Sequence, residues 1–435
     1  MIASDVPPRA AGQGATQAAG LSGFVFALFF FFGGITSLND VLIPKLKGLF
    51  SLGYGEVMLV QSAFFIGYLV VSIPAGSLVA RIGYLRAASI GLLTMAAGCL
   101  LFMPAARSAS FAAFLGALFV VAAGITIVQV VANPLISILG RPETAHSRLT
   151  FAQAFNSLGT TVFPFIGASI FLGSIASIDP ATLTPQALAA FRTTEAAVVS
   201  HAYLGLAVVL TLLAALVFAQ RKRLTEDHGE AVDLRGALDL LHRPRFAFGM
   251  ACLFLYVGAE VAIGSLLVSY LVAPDTLGLS PQSAGHHLAY YWGGAMVGRF
   301  LGAALLRLFS PGKMLAAAAS VALVLLAISA NAHGPLAGWS LLAVGLFNSI
   351  MFPTIFSLGN ERLGSRTAEG SGLICVAIVG GAVVPPLTGH VADATSLAFA
   401  LVVPALCYAG IAAYGWYARR PATEMVATEP ATKAS

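Results

Sequence analysis

FAFGMACLFLYVGAEVAIGSLLVSYLV, residues 246–272, carries a single charge, Glu260. A helix rises ~1.5 Å per residue, so this stretch outreaches a hydrocarbon layer about 30 Å thick. Barrel strands would be half as long and would alternate polar with apolar side chains. The run does not alternate, so it reads as a membrane-spanning helix. Eleven further stretches read the same way: near 21–43, 57–80, 86–106, 111–139, 149–172, 200–219, 284–308, 313–332, 336–358, 369–390 and 394–418. The chain as a whole is 58% hydrophobic and 9% charged. The expected class is an all-α membrane protein of twelve spans, with the lipid bilayer as its solvent.

Charge placement gives an orientation. With both termini in the cytoplasm, 18 of the 23 Lys and Arg residues fall on the cytoplasmic side, six of them between 221 and 245. Lys45, Lys47, Arg107 and Arg192 fall outside, and Arg299 lies within a span. This asymmetry follows the positive-inside rule for an even number of spans. The net charge of +5 therefore reflects topology. Outside these loops no basic cluster supports nucleic-acid binding. The expected location is the inner, cytoplasmic membrane of the cell, and the expected state is a monomer.

The longest cytoplasmic interruption, 220–245, divides the chain into two sets of six. Residues 1–20 read as a disordered cytoplasmic arm, 21–219 as the first bundle, 220–245 as a linker, 246–418 as the second bundle and 419–435 as a tail. The loop 173–199 shows no chemistry. The two bundles are weakly alike. Gly67, Gly76 and Arg81 match Gly293, Gly302 and Arg307 at a constant offset of 226, and Gly159 and Pro164 match Gly380 and Pro385 at 221. Gln129 stands five residues before Pro134, as Asn348 stands before Pro353. Such parallel repeats put a binding site between the halves, near the membrane middle. Gly and Pro within the spans serve close packing and local bending.

Polar residues inside the spans are the functional candidates. A carboxylate at a helix centre costs about 2.5–3.5 kcal/mol on insertion scales, and solute or proton handling is the usual reason to keep one. Glu260 stands about 21 Å along its span from Phe246 and should face the bundle interior. Asp40 ends the run TSLND before Pro44. It is either a carboxylate at the outer helix end or, if the helix continues past Pro44, a group facing a water-filled cavity. A carboxyl group in low dielectric favours its neutral form. It can therefore take a proton from one side and release it on the other as its surroundings change.

Amides surround these acids in the sequence. Gln129 and Asn133, four apart, share one face of span four, and Gln153 and Asn156, three apart, share one face of span five. Asn39, Gln61 and Asn348 add more. Each is either an interhelical hydrogen bond or part of a polar cavity whose donors and acceptors suit sugar hydroxyls. Trp292 can pack in the core or stack on the apolar face of a hexose. Arg299 can snorkel or pair locally. His286 and His287 lack a third metal ligand, and no GxxxxGK[ST] run is present, so no metal, nucleotide or other cofactor is expected. A nucleophile–base set is not visible, so the chain does not read as an enzyme.

Several of these stretches resemble one family. FFFFGGITSLNDVLIPKLKGLFSLGYGEVMLVQSAFFIGYLVVSIPAGSLVARIGY, VVANPLISILGRPETAHSRLTFAQAFNSLGTTVFP, FLYVGAEVAIGSLLVSYL, MVGRFLGAALLR and MFPTIFSLGNERLG are similar to the fucose–galactose–glucose:proton symporters of the major facilitator superfamily. The resemblance runs from about 24 to 418. It implies two six-helix bundles, alternating access, and a proton-coupling role for Asp40 in the family's Asn-Asp motif. The family's fucose permeases carry a glutamate where this chain has Gln129 and a glutamine where it has Glu260. The exchange points to the glucose/galactose branch. Ala80 stands where the superfamily commonly has an aspartate, so the gating contact of that aspartate is absent or replaced. The resulting expectation is proton-coupled hexose import. Asp40 and Glu260 would handle the proton. Asn39, Gln61, Gln129, Asn133, Gln153, Asn156, Glu260, Trp292 and Asn348 would handle the sugar. A sodium-coupled or uncoupled sugar carrier and a proton-driven exporter of hydrophobic compounds are the alternatives.

Overall fold

The computed structural model describes residues 11–139, 145–173, 183–221, 236–306, 308–363 and 366–420. Twelve long helical segments run through it: α1 (Ala11–Phe50), α2 (Tyr54–Ile82), α3 (Tyr84–Ser108), α4 (Phe111–Ile138), α5 (Ala145–Phe171), α6 (Pro185–Ala219), α7 (Pro244–Val272), α8 (Pro281–Leu305), α9 (Pro311–Asn331), α10 (Pro335–Gly359), α11 (Gly370–Ala394) and α12 (Leu397–Tyr417). Eleven are long and apolar enough to cross a membrane, and α8 falls short of that apolarity. It carries Gln282, Ser283, His286, His287 and Arg299 on 25 residues.

Local chemistry sets many of the boundaries. Proline opens α6, α7, α8, α9 and α10, where its missing N–H is no loss. Thr184, Ser280 and Ser310 cap α6, α8 and α9 by accepting a backbone N–H from three residues ahead. Gly83, at φ 85, turns the chain between α2 and α3, a conformation that side chains resist.

Within the first half, α1 packs on α5, α2 on α4, and α3 on α4 and α6; in the second, α7 packs on α10, α11 and α12, and α9 on α10 and α12. The halves meet along α5 with α8, α2 with α11, and α1 with α7. The repeat relates the first two pairs, since α2 corresponds to α8 and α5 to α11. Small residues permit this approach. A Cβ on Gly285 would meet Ala168 and Leu172, and one on Gly381 would meet Phe65. The polar contacts across this seam run from the bundle middle to one end. They include Ser62 Oγ to the Ala382 carbonyl at 2.7 Å and Ser169 Oγ to His286 Nε2 at 2.8 Å. Molecular ends are named accordingly: the joined end is the closed end. On the opposite side, Arg245–Glu361 and Arg366–Asp239 are ion pairs within the second half.

The structure sharpens the sequence reading at several places. The arm read as disordered over 1–20 is helical from Ala11; residues 1–10 lie outside the described residues, as do 222–235 of the linker and the tail from 421. The helix of span one does not end before Pro44 but continues to Phe50. The segment read as loop up to 199 is helical from Pro185. That extra helix presents Glu195 to Lys45, and the two form a buried ion pair. Lys45, counted on the outer side of the membrane, is 1% exposed. Finally, α10 is interrupted between Asn348 and Met351, and α11 contains a 3-10 turn at Val376–Val379. Both breaks fall in the proline-bearing spans where bending was expected.

Candidate functional site

Asp40 sits in the middle of α1, 3% exposed, four residues before Pro44. Proline lacks the N–H that would bond the carbonyl of residue 40, so the helix is locally weakened at the acid itself. The carboxylate is held by three helices. Its Oδ1 accepts from Gln61 Nε2 and from Ser265 Oγ, each at 3.3 Å, and its Oδ2 accepts from the Trp292 indole N–H at 3.1 Å. Gln61 also donates to Ser265 Oγ at 2.8 Å. Gln61 belongs to the first half; Ser265 on α7 and Trp292 on α8 belong to the second. Gly264 keeps α7 close, since a Cβ there would lie 3.2 Å from Asp40 Oδ2. The Asp40 cluster is thus a polar bridge across the seam, built from neutral donors.

Glu260 has a different setting. Tyr256, one turn earlier on α7, places its hydroxyl 2.7 Å from Glu260 Oε1 and 3.0 Å from the Asn348 carbonyl. The Tyr291 hydroxyl donates to the Glu260 carbonyl at 3.2 Å and accepts from Asn348 Nδ2 at 2.9 Å. Tyr408 donates to Asn348 Oδ1 at 2.6 Å. The hydrogen bonds in this network all lie in the second half, on α7, α8, α10 and α12. Glu260 is half-buried and interacts electrostatically with both Asp40 and Arg299. Arg299 itself reaches across the seam to Ser157 Oγ at 2.6 Å.

The remaining sequence candidates separate into two groups. Gln129 and Gln153 are half-buried, and Asn133 is exposed and has an interaction partner of its own. Asn156, Asn348 and Trp292 hydrogen-bond to other helices. Asn156 Nδ2 donates to the Phe29 carbonyl at 3.3 Å, joining α5 to α1 where a Cβ on Gly33 would collide with it. Asn348 is 1% exposed and uses both ends of its amide on tyrosines, the interhelical bond that was one of its two readings. Trp292, read as a stacking or core ring, is a donor to Asp40. Asn39 is 1% exposed, and its Nδ2 has no hydrogen-bond partner.

Sequence reading missed Ser265, Tyr256, Tyr291 and Tyr408. Tyr256 was within reach, because residues four apart share a helix face. Ser265 and the other tyrosines carry no such signal; their partners lie on other helices.

Comparison with known proteins agrees with this architecture. The model of the Major Facilitator Superfamily matches residues 24–378. A glucose/galactose transporter of Brucella abortus is 51% identical over 390 residues, covering 89% of this chain and 91% of its own. The L-fucose-proton symporter of Escherichia coli is 34% identical over 406 residues, covering 91% of this chain and 92% of its own. The crystal structure of FucP, a superfamily transporter in the outward conformation, superposes with a TM-score of 0.69 at 32% identity, covering 92% of this chain and 99% of that one.

Proposed function

The chain belongs to the Major Facilitator Superfamily, and on that premise we propose that it imports a hexose of the glucose or galactose type together with a proton. It works by alternating access, as a carrier and not an enzyme. The single observation that carries the coupling is the Asp40 bridge. Two of its three donors, Ser265 and Trp292, stand on the other half. Opening the closed end must pull them away and leave the carboxylate facing entering water. There the carboxylate exchanges those donors for water and can be protonated from that side, and the neutral carboxyl can then return to the closed seam. When the cavity opens on the other side the proton departs, and the three donors solvate the charge left behind.

Sugar recognition falls to the wall of the cavity. Glu260 offers a strong acceptor to a hydroxyl, and charge-assisted hydrogen bonds of this kind are about twice as strong as neutral ones. Gln129, Asn133 and Gln153 offer amides with both donor and acceptor. Relatives named for glucose and galactose transport support the hexose class. The positive-inside rule supports an orientation with both termini cytoplasmic, the closed end outward and the lipid environment that of the inner membrane. The chain described here is then inward-open.

The driving force is adequate. One proton crossing ~100 mV releases about 2.3 kcal/mol, and each pH unit adds about 1.4 kcal/mol. Together they support roughly 10²- to 10³-fold accumulation, at 1.4 kcal/mol per factor of ten. The test is uptake of a panel of labelled hexoses into vesicles under separately imposed proton and sodium gradients. Accumulation should follow the proton gradient and vanish with a protonophore. Uptake that tracks sodium, or hydrophobic efflux that sugar does not inhibit, overturns the reading.

A further inference from the structure

The closed end has a polar contact that neither the sugar nor the proton requires. Asp393, near the end of α11, accepts the Tyr54 N–H on Oδ1 at 2.7 Å and the Gly55 N–H on Oδ2 at 2.8 Å. Both donors belong to the first turn of α2, where helical N–H groups have no partner of their own. The acceptor and the donors stand on opposite halves. We propose that Asp393 is a gating residue, the latch that holds the closed end of this carrier shut. The proposal rests on alternating access but not on the identity of the solute.

The surroundings are built around this contact. A Cβ on Gly389 would lie 2.5 Å from the Tyr54 carbonyl oxygen and 2.8 Å from the Gly55 nitrogen. A Cβ on Gly53 would lie 2.7 Å from Asp393 Oδ2, and one on Gly55 would lie 2.5 Å from the His390 ring. Three glycines therefore let the carboxylate reach the backbone at two points. A carboxylate to backbone N–H bond is charge-assisted, and paired bonds fix direction as well as distance. The latch is made to the backbone of α2, so it reads the position of that helix. It must break whenever the halves separate at that end.

At the opposite end, position 80 of α2 is Ala80, and the ion pairs of Arg245 and Arg366 stay within the second half. A carboxylate latch at one end without one at position 80 biases the resting carrier toward the state described here. Loss of the latch should shift that bias.

The experiment measures the gate directly. Spin labels are attached at Ser51→Cys and Thr395→Cys, both exposed near the closed end, in a Cys375→Ala background reconstituted in liposomes. Distance distributions are recorded without sugar or proton gradient, so a wrong solute assignment leaves the reading intact. Asp393→Ala should raise the separated-to-joined ratio about tenfold, equivalent to about 1.4 kcal/mol. Asp393→Asn keeps one acceptor and should raise it less. Gly389→Ala forces the backbones apart and serves as the positive control for separation. If Gly389→Ala lengthens the distances while both Asp393 variants match the parent, the latch assignment is overturned. If none of the three shifts them, it is overturned as well. A monodisperse size-exclusion profile and parent-like far-UV circular dichroism establish that each variant is folded.

Discussion

The two carboxylates within the spans make opposite uses of their neighbours. Asp40 takes its hydrogen bonds from both halves, through Gln61 on one side and Ser265 and Trp292 on the other. Glu260 takes its hydrogen bond from Tyr256 in its own half, and that phenol is tied in turn to the Asn348 backbone. The first acid is sensitive to whether the seam is joined. The second has its hydrogen-bond partner within its own bundle. On the proposed function, one carboxylate senses conformation and the other recognises the sugar.

The largest test of this contrast is Asp40→Asn. The amide cannot exchange a proton, so uphill accumulation should fall from the hundredfold range to equality across the membrane, while counterflow of labelled sugar persists. Retained accumulation would erase the distinction between the two acids. Glu260→Gln should act on affinity instead. Loss of a charged acceptor removes about 1.5–3 kcal/mol from a hydrogen bond, so the KM for sugar should rise roughly tenfold to a hundredfold. The final accumulation ratio should stay that of the parent once sugar is saturating. A collapsed ratio in that variant would make Glu260 a proton carrier too.

Asn348→Ala probes the rigidity of the second site. It removes the bonds from Tyr408 and to Tyr291 and should lower stability by about 2–3 kcal/mol, read as a lower Tm in detergent. Coupling should be unchanged. The smallest effect belongs to the surface. Arg366 beside Asp239 holds that carboxyl below the usual carboxylate range. A folded-state value below the unfolded one stabilises the protein above the unfolded pKa, near 4, and that stabilisation is lost as pH falls through the lowered one. The Tm gap between the parent and Arg366→Ala should therefore be flat from pH 8 to about 5 and shrink in acid below about 4. High salt should reduce it throughout, because Asp239 is exposed.

Much of this was legible in the sequence, and particular residues show why the rest was not. Span lengths and the isolated acids Asp40 and Glu260 are one-dimensional signals, set by the bilayer and by the scarcity of charge. Pro44 was ambiguous, because proline both ends helices and is tolerated in membranes where neighbours restore the lost bond. Here the chain continues to Phe50, which moves Asp40 from a helix end to a helix middle. Lys45 and Glu195 stand 150 residues apart, so each looked like a loop charge until the helices brought them together. Asn348 and Asn156 illustrate the other limit. An amide in a span is compatible with a ligand or with a structural bond, and only the neighbours decide.

Helix α8 has a consequence for how the molecule is made. It is the span that falls below the apolarity of the other eleven, because its polar side chains face α5 and the central cluster through His286, Trp292 and Arg299. A nascent segment of that character partitions reluctantly into lipid from the ribosome's protein-conducting channel. Its integration should wait for α7, or for the already inserted first bundle, to offer those groups a home. Moving α8 into a single-span insertion reporter should give low integration efficiency, and adding α7 upstream should raise it.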